Sequence, residues 1–300
     1  MIDVCLLGCG GVMPLPDRAL TSLYVLSASG HGILIDCGEG TQMAIRYAKR
    51  KFSKIDAILF THFHADHISG LPGLLLTLGI EGRTEPLIIH GPIGLSDTVT
   101  SLRTIAPDLP FEIIFVEHPT DECGRFSVFD MDLNVFPLKH SVPCLGYKVT
   151  LRRSPKFNAD RARELNVPVE YWHVLQKGES VGGFDPCDVL GEPRRGISLL
   201  YATDTRPTPD IERYGKDTDL IILEGMFGEA DKEERAKLTG HMMMKEAAET
   251  AARVGSRELW ITHISPATPD PESYLDELRA IFKNTVLGKD RLSKALRFDD

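Results

Sequence analysis

The chain has 300 residues, 42% of them apolar, and a formal net charge of −9. That length and apolar share fit one α/β domain with a sizeable core and exclude a disordered chain. The acidic balance argues against a protein that coats nucleic acid indiscriminately, and the absence of a signal-peptide pattern or a ~20-residue apolar run speaks for a soluble, cytoplasmic protein with no membrane partner.

In chain order, short apolar runs read as strands at residues 4–7, 22–26, 33–36 and 57–60, with helices at 41–49 and 71–78. Further strands are expected at 87–90, 111–116, 133–138 and 146–151, then at 198–202, 220–224 and 258–261. An alanine-rich helix is expected over 242–254 and an amphipathic one over 271–282. Interleaved strands and helices imply a layered α/β architecture. Residues 152–196 break the rhythm: the stretch is polar and carries Pro155, Pro168, Pro186, Pro193 and the pair Gly182-Gly183. It reads as an inserted arm within a single domain spanning 1–300. Six cysteines without CxxC spacing (Cys5, Cys9, Cys37, Cys123, Cys144 and Cys187) speak for free, mostly buried thiols and against a zinc ribbon.

The chemistry concentrates in THFHADHISGLPG, where His62, His64, Asp66 and His67 fall within six positions after an apolar run. In an extended segment, residues two apart point the same way, so His62, His64 and Asp66 are expected to converge, with His67 opening the next helix. Imidazole suits zinc and other borderline metals, and aspartate adds compensating charge or a base. His140, Asp204 and His263 each stand just past an apolar strand, where α/β sheets place functional groups. Together with the first cluster they supply enough ligands for two metals. His31, His90, His118 and His173 match no ligand position and are expected in packing or surface roles, and Met242-Met243-Met244 is expected to mix core and surface.

HFHADH resembles the HxHxDH signature of the metallo-β-lactamase superfamily, with His140, Asp204 and His263 following in order. LLGCGGVMPLPDR, IDCGEGTQ, KHSVPCLGY, YATDTRP, GHMMMKEAAETAA and ITHISP make the chain similar, more narrowly, to the ribonuclease Z-like branch, endonucleases that remove 3′ trailers from precursor tRNA. The resemblance implies a four-layer αβ/βα sandwich of the metallo-β-lactamase type and two divalent ions, zinc first, with manganese or iron(II) open. It implies one ion on His62, His64 and His140, the other on Asp66, His67 and His263, and Asp204 between them. It further implies a homodimer in which the arm of one subunit serves the active site of the other. Two ions carry four positive charges against two ligand carboxylates, so the site is locally cationic and suited to a phosphodiester.

On this reading a metal-bridged hydroxide attacks phosphorus, Asp66 accepts the water's proton, and His241, paired with Glu224, protonates the leaving oxygen. The alternative is a small-molecule phosphodiesterase, or another metal-dependent hydrolase, of the same fold. A non-enzymatic scaffold and a β-lactamase-type acyl hydrolase fit the motif set less well.

Three departures from the family pattern stand out. LEGMF replaces HEATF, so that Leu223 stands for the histidine while Glu224 remains. Pro14-Leu15-Pro16-Asp17-Arg18-Ala19 replaces PxKxRN, and the arm at 168–179 lacks a Gly-Pro-rich tip. Before that tip runs a basic stretch including Arg161 and Arg163, and Tyr171 and Trp172 are open to stacking on RNA or to packing within the arm.

Overall fold

Alternation along the first strand sets the layering. Ile2, Val4 and Leu6 are buried in one cluster, and Cys5 and Leu7 in a second. Such a strand is covered on both faces. The computed structural model describes residues 1–299. Its strands are β1 (Ile2–Gly8), β2 (Ser22–Ser27), β3 (Gly32–Ile35), β4 (Ile55–Leu59), β5 (Leu87–Pro92), β6 (Ile113–His118) and β7 (Gly124–Val128). They continue with β8 (Met131–Leu138), β9 (Cys144–Arg153), β10 (Arg194–Ala202), β11 (Leu220–Glu224), β12 (Leu259–Thr262), β13 (Thr285–Leu287) and β14 (Leu292–Leu296).

Two seven-stranded sheets result, ordered β14-β1-β2-β3-β4-β5-β6 and β13-β12-β11-β10-β9-β8-β7. In the first, β3 to β6 run parallel; in the second, β10 to β13 do. The inner faces share a core that includes Val25, Ile33, Leu133, Tyr147, Tyr201 and Trp260. The outer face of the first sheet packs on the helices Thr41–Tyr47 and Leu71–Ile80. That of the second packs on Pro209–Gly215, Met244–Val254 and Leu275–Ile281. Helix, sheet, sheet and helix make the expected αβ/βα sandwich. No helix among the described residues is long and apolar enough to cross a membrane.

Several local expectations need correction. The alanine-rich helix begins at Met244, which leaves His241 outside it, and Met242, Met243 and Met244 are all buried. The last helix is a 3₁₀ turn, Pro271–Tyr274, followed by Leu275–Ile281. β7, β13 and β14 form sheet edges that the sequence reading missed.

β9 and β10 pair antiparallel, and the arm joins them. It holds three short helices, Ala159–Glu164, Val169–Gln176 and Pro186–Val189, around a small core of Ala162, Val167, Leu175 and Val189. Trp172 packs against that core and donates its indole N–H to Val167 O at 3.1 Å, so its ring is committed to the arm. Arg161 and Arg163 pair locally with Glu164 and Asp160.

At the far edge of the sandwich, His90 Nδ1 and His118 Nε2 lie 3.0 Å apart, and Phe126 of β7 stacks on His90 at 4.1 Å. Burial first, then His118, pulls His90 down to about 4; burial also lowers His118. Both folded values lie below the unfolded one of about 6.5. The stability that depends on these neutral rings is therefore complete above pH ~6.5 and is lost as pH falls toward 4. Thermal melts should lose several degrees between pH 7 and pH 5. His90→Gln, always neutral, should show a smaller loss across that range, whereas parallel curves for the two proteins would contradict the assignment.

Candidate metal centre

The two sheets present chemistry at the same end. His62, His64, Asp66 and His67 follow β4 of the first sheet, while His140, Asp204 and His263 follow β8, β10 and β12 of the second. Two bonds tie the sheets together there: Tyr147 Oη donates to Phe60 O at 2.7 Å, and Leu145 N donates to Thr61 O at 2.9 Å. Asp204 and His263 both adopt φ near +54°, at 54° and 53°, a conformation uncommon outside glycine. Held there, each backbone turns sharply at its strand end.

The aspartate-histidine motif does not behave as one extended segment. His64 caps the short helix Ala65–Ile68, which contains Asp66 and His67. The helical turn rotates Asp66 away from His62 and His64, so the four residues divide between two neighbouring clusters. One is His62, His64, His140 and Asp204; the other is Asp66, His67 and His263. Within each, the ligand-type atoms all lie within 4.8 Å of one another.

Asp204 spans the two. Its Oδ1 faces His62 Nε2 at 3.9 Å and His140 Nε2 at 3.8 Å. Its Oδ2 faces His67 Nε2 at 3.1 Å and His263 Nε2 at 3.4 Å. Burial, the largest influence, pushes the carboxyl up, but the surrounding imidazoles, His263 and His67 foremost, outweigh it and hold Asp204 well below the usual carboxylate range. Asp66 is lowered likewise, against its own burial, by His263 and His67. Burial draws His140 down to about 4, which keeps its ring neutral and able to offer a lone pair.

These donors suit a cation. His62 Nε2 is buried with no hydrogen-bond partner, and His67 Nε2 and His263 Nε2 converge to 3.3 Å. A buried imidazole nitrogen without a partner, beside two others that converge on the same carboxylates, fits an ion between or beside them.

A residue that the sequence reading passed over anchors this set. Asp36, fully buried at φ 60° just after β3, accepts from Thr61 N at 2.8 Å and holds His67 Nδ1 at 2.9 Å. With its Nδ1 engaged by a carboxylate, His67 turns Nε2 into the centre, an arrangement typical of metal-ligating histidines. The only sequence signal was its place in IDCGEGTQ, because the partners Thr61 and His67 are remote in the chain.

His241 and Glu224 meet beside the clusters: His241 Nδ1 lies 2.9 Å from Glu224 Oε2. Glu224, at the end of β11, is fully buried and takes Thr205 N–H on its other oxygen. Burial lowers His241, but Glu224 more than compensates and raises it; burial raises Glu224. His140 Nδ1 faces Gly240 O at 3.3 Å, and a Cβ at Gly240 (φ 77°) would sit 3.2 Å from His140, so this glycine permits the close approach of the two histidine loops. Leu223, the substitute for the family's histidine, is buried in the core under the helices, away from the site.

A family model described as Anti-Pycsar protein Apyc1 matches residues 2–171, and one described as a beta-lactamase superfamily domain matches residues 189–264. The ribonuclease Z of Agathobacter rectalis is 49% identical over 305 residues, covering 100% of both chains. That of Lachnoclostridium phytofermentans is 48% identical, covering 100% of this chain and 99% of its own. Human short-form tRNase Z superposes with a TM-score of 0.71 at 23% identity, covering 99% of this chain and 100% of that one, a likeness of fold.

Replacing Asp36 by Asn should leave the fold intact and weaken metal affinity about 10- to 100-fold, since the carboxylate that orients His67 is lost. Competition of the purified protein against a chromogenic chelator measures this. An unchanged affinity would remove Asp36 from the centre.

Proposed function

The chain belongs to the ribonuclease Z family of the metallo-β-lactamase superfamily, and from that premise we propose that it removes 3′ trailers from precursor tRNA with two zinc ions held at the sheet ends. One ion would sit on His62, His64 and His140 and the other on Asp66, His67 and His263, with Asp204 shared. The observation that carries this reading is the Asp204 carboxylate, which turns one oxygen to each cluster. An imidazole-rich donor set favours zinc over the harder divalent ions. When bound, the ions supply an activated water at neutral pH and positive charge for the phosphate.

The rest of the chemistry belongs to side chains. Asp66 takes the proton from the attacking water; its Oδ2 accepts Val12 N–H at 2.7 Å, which fixes the carboxylate's plane. His241 gives a proton to the departing 3′ oxygen. Its Nδ1 is occupied by Glu224, so Nε2 is the atom that meets substrate. Glu224 keeps the ring in that tautomer and offsets its charge when protonated.

The position of the arm supports a homodimer. β10 carries the chain from the arm to Asp204, so the arm leaves the sandwich at the end opposite the centre, about 30 Å away by strand length. An arm so placed serves a site on another subunit more readily than its own. The adjacent helices Thr41–Tyr47 and Leu71–Ile80 expose Met43, Tyr47, Leu76 and Ile80 at i, i+4 spacing, an apolar face suited to a partner.

Zinc-loaded protein should cut a precursor tRNA once, just after the discriminator base, and Asp66→Ala should abolish the cut. An intact precursor, with metal occupancy verified, would exclude this substrate and favour a small phosphodiester. The double variant Tyr47→Glu/Ile80→Glu should sediment as a monomer, keep its metal, and cut the precursor at least 10-fold more slowly. A dimer of unchanged mass would place the interface elsewhere.

A further inference from the structure

His241 stands on a non-helical segment between the helices Glu233–Thr239 and Met244–Val254, and that segment needs to be held. Its backbone is tied to the preceding helix, where His241 N donates to Ala236 O at 2.8 Å, and to one neighbouring chain segment. Met226 N donates to Met242 O at 3.0 Å and Met244 N donates to Phe227 O at 2.9 Å. In such an extended run alternate groups point the other way, so the carbonyl of His241 is directed away from that pairing. Arg206 meets it: its Nη1 donates to His241 O.

The same guanidinium forks onto Glu246, with Nη1 to Oε2 at 2.8 Å and Nη2 to Oε1. Glu246 Oε2 also accepts Met243 N–H at 2.9 Å, closing the first turn of the following helix. Arg206 is itself fixed, because its N–H donates to Lys139 O at 3.0 Å, next to His140. Both side chains of the pair are mostly buried, with 14% and 24% exposed. One short loop thus performs three tasks. Asp204 faces both clusters, Thr205 N–H holds Glu224, and Arg206 grips the backbone of the residue that Glu224 orients.

From this geometry we infer that Arg206, braced by Glu246, is a positioning residue that sets His241 against the departing oxygen. Glu224 fixes the ring and Arg206 fixes the backbone from which the ring hangs. The inference rests on the reading of His241 as proton donor. A pair that merely stabilised the fold would affect every substrate alike. A pair that positions a proton donor matters only where the leaving group needs a proton.

The test compares leaving groups. Wild type, Arg206→Met and Glu246→Gln, each loaded with zinc and checked for metal content and melting temperature, are assayed on three phosphodiesters. These are precursor tRNA, a dinucleotide whose leaving group is a ribose 3′ oxygen, and thymidine 5′-(p-nitrophenyl phosphate), whose phenolate leaves without help. A misplacement of about 1 Å costs on the order of 10²-fold when it affects the chemical step. Arg206→Met should lower kcat on the two ribose-leaving substrates about 30- to 100-fold more than on the aryl ester, with KM little changed. Glu246→Gln, which keeps part of the fork and the cap, should show the same selectivity at smaller size. Equal losses on all three substrates, or no loss on any, would overturn the inference. If wild type spares precursor tRNA but hydrolyses the two small diesters, the precursor reading falls. Arg206 is then judged on that pair by the same ratio.

Discussion

A carboxylate with almost no exposed surface stays ionised only where positive charge surrounds it, and Asp204 is in that position. Burial alone would neutralise it, yet the imidazoles around it hold it well below the usual carboxylate range. They come from both sheets: His62 and His67 from the first, His263 from the second. The two halves of the sandwich therefore have to meet at a fixed distance and register for this one group to be satisfied. The inter-sheet bonds of Tyr147 and Leu145, made to the two residues just before His62, fix that register.

From this constraint the division of labour in the molecule follows. Parallel strands of both sheets end on the same side, so loops at that side gather the donors, the Glu224–His241 pair and the Arg206 grip. The antiparallel pair β9 and β10 turns at the opposite side and carries the arm there. Chemistry and the arm are thus separated by the length of a strand. Left-handed backbone at Asp36, Asp204 and His263 lies at the same edge, where the surrounding contacts hold it.

Much of this was legible in the sequence, for definable reasons. The seven candidate ligands that the structure brings together could be picked out because each stands beside an apolar strand and four of them share a fixed local spacing. The motif set carried the family and the sandwich. The division of His62, His64, Asp66 and His67 between two clusters, which the family resemblance implied, was not legible from spacing alone, since it depends on one helical turn, Ala65–Ile68, within a stretch that reads equally well as extended. Asp36 and Arg206 escaped notice because their roles exist only across contacts between residues 31 and 35 positions apart. The edge strands were missed for another reason: β14 is half exposed and β13 has three residues, so neither has a pattern strong enough to distinguish it from a loop. Trp172 could be read either way until its indole was found to be bonded within the arm.

The claim on which the rest depends is that one carboxylate holds two ions. Metal content measured by mass spectrometry, after reconstitution and gel filtration, tests it directly on wild type and on Asp204→Ala. The account predicts two equivalents of divalent metal per wild-type chain and loss from both clusters in the variant, to less than one equivalent. One equivalent in wild type, or two retained by Asp204→Ala, would contradict it.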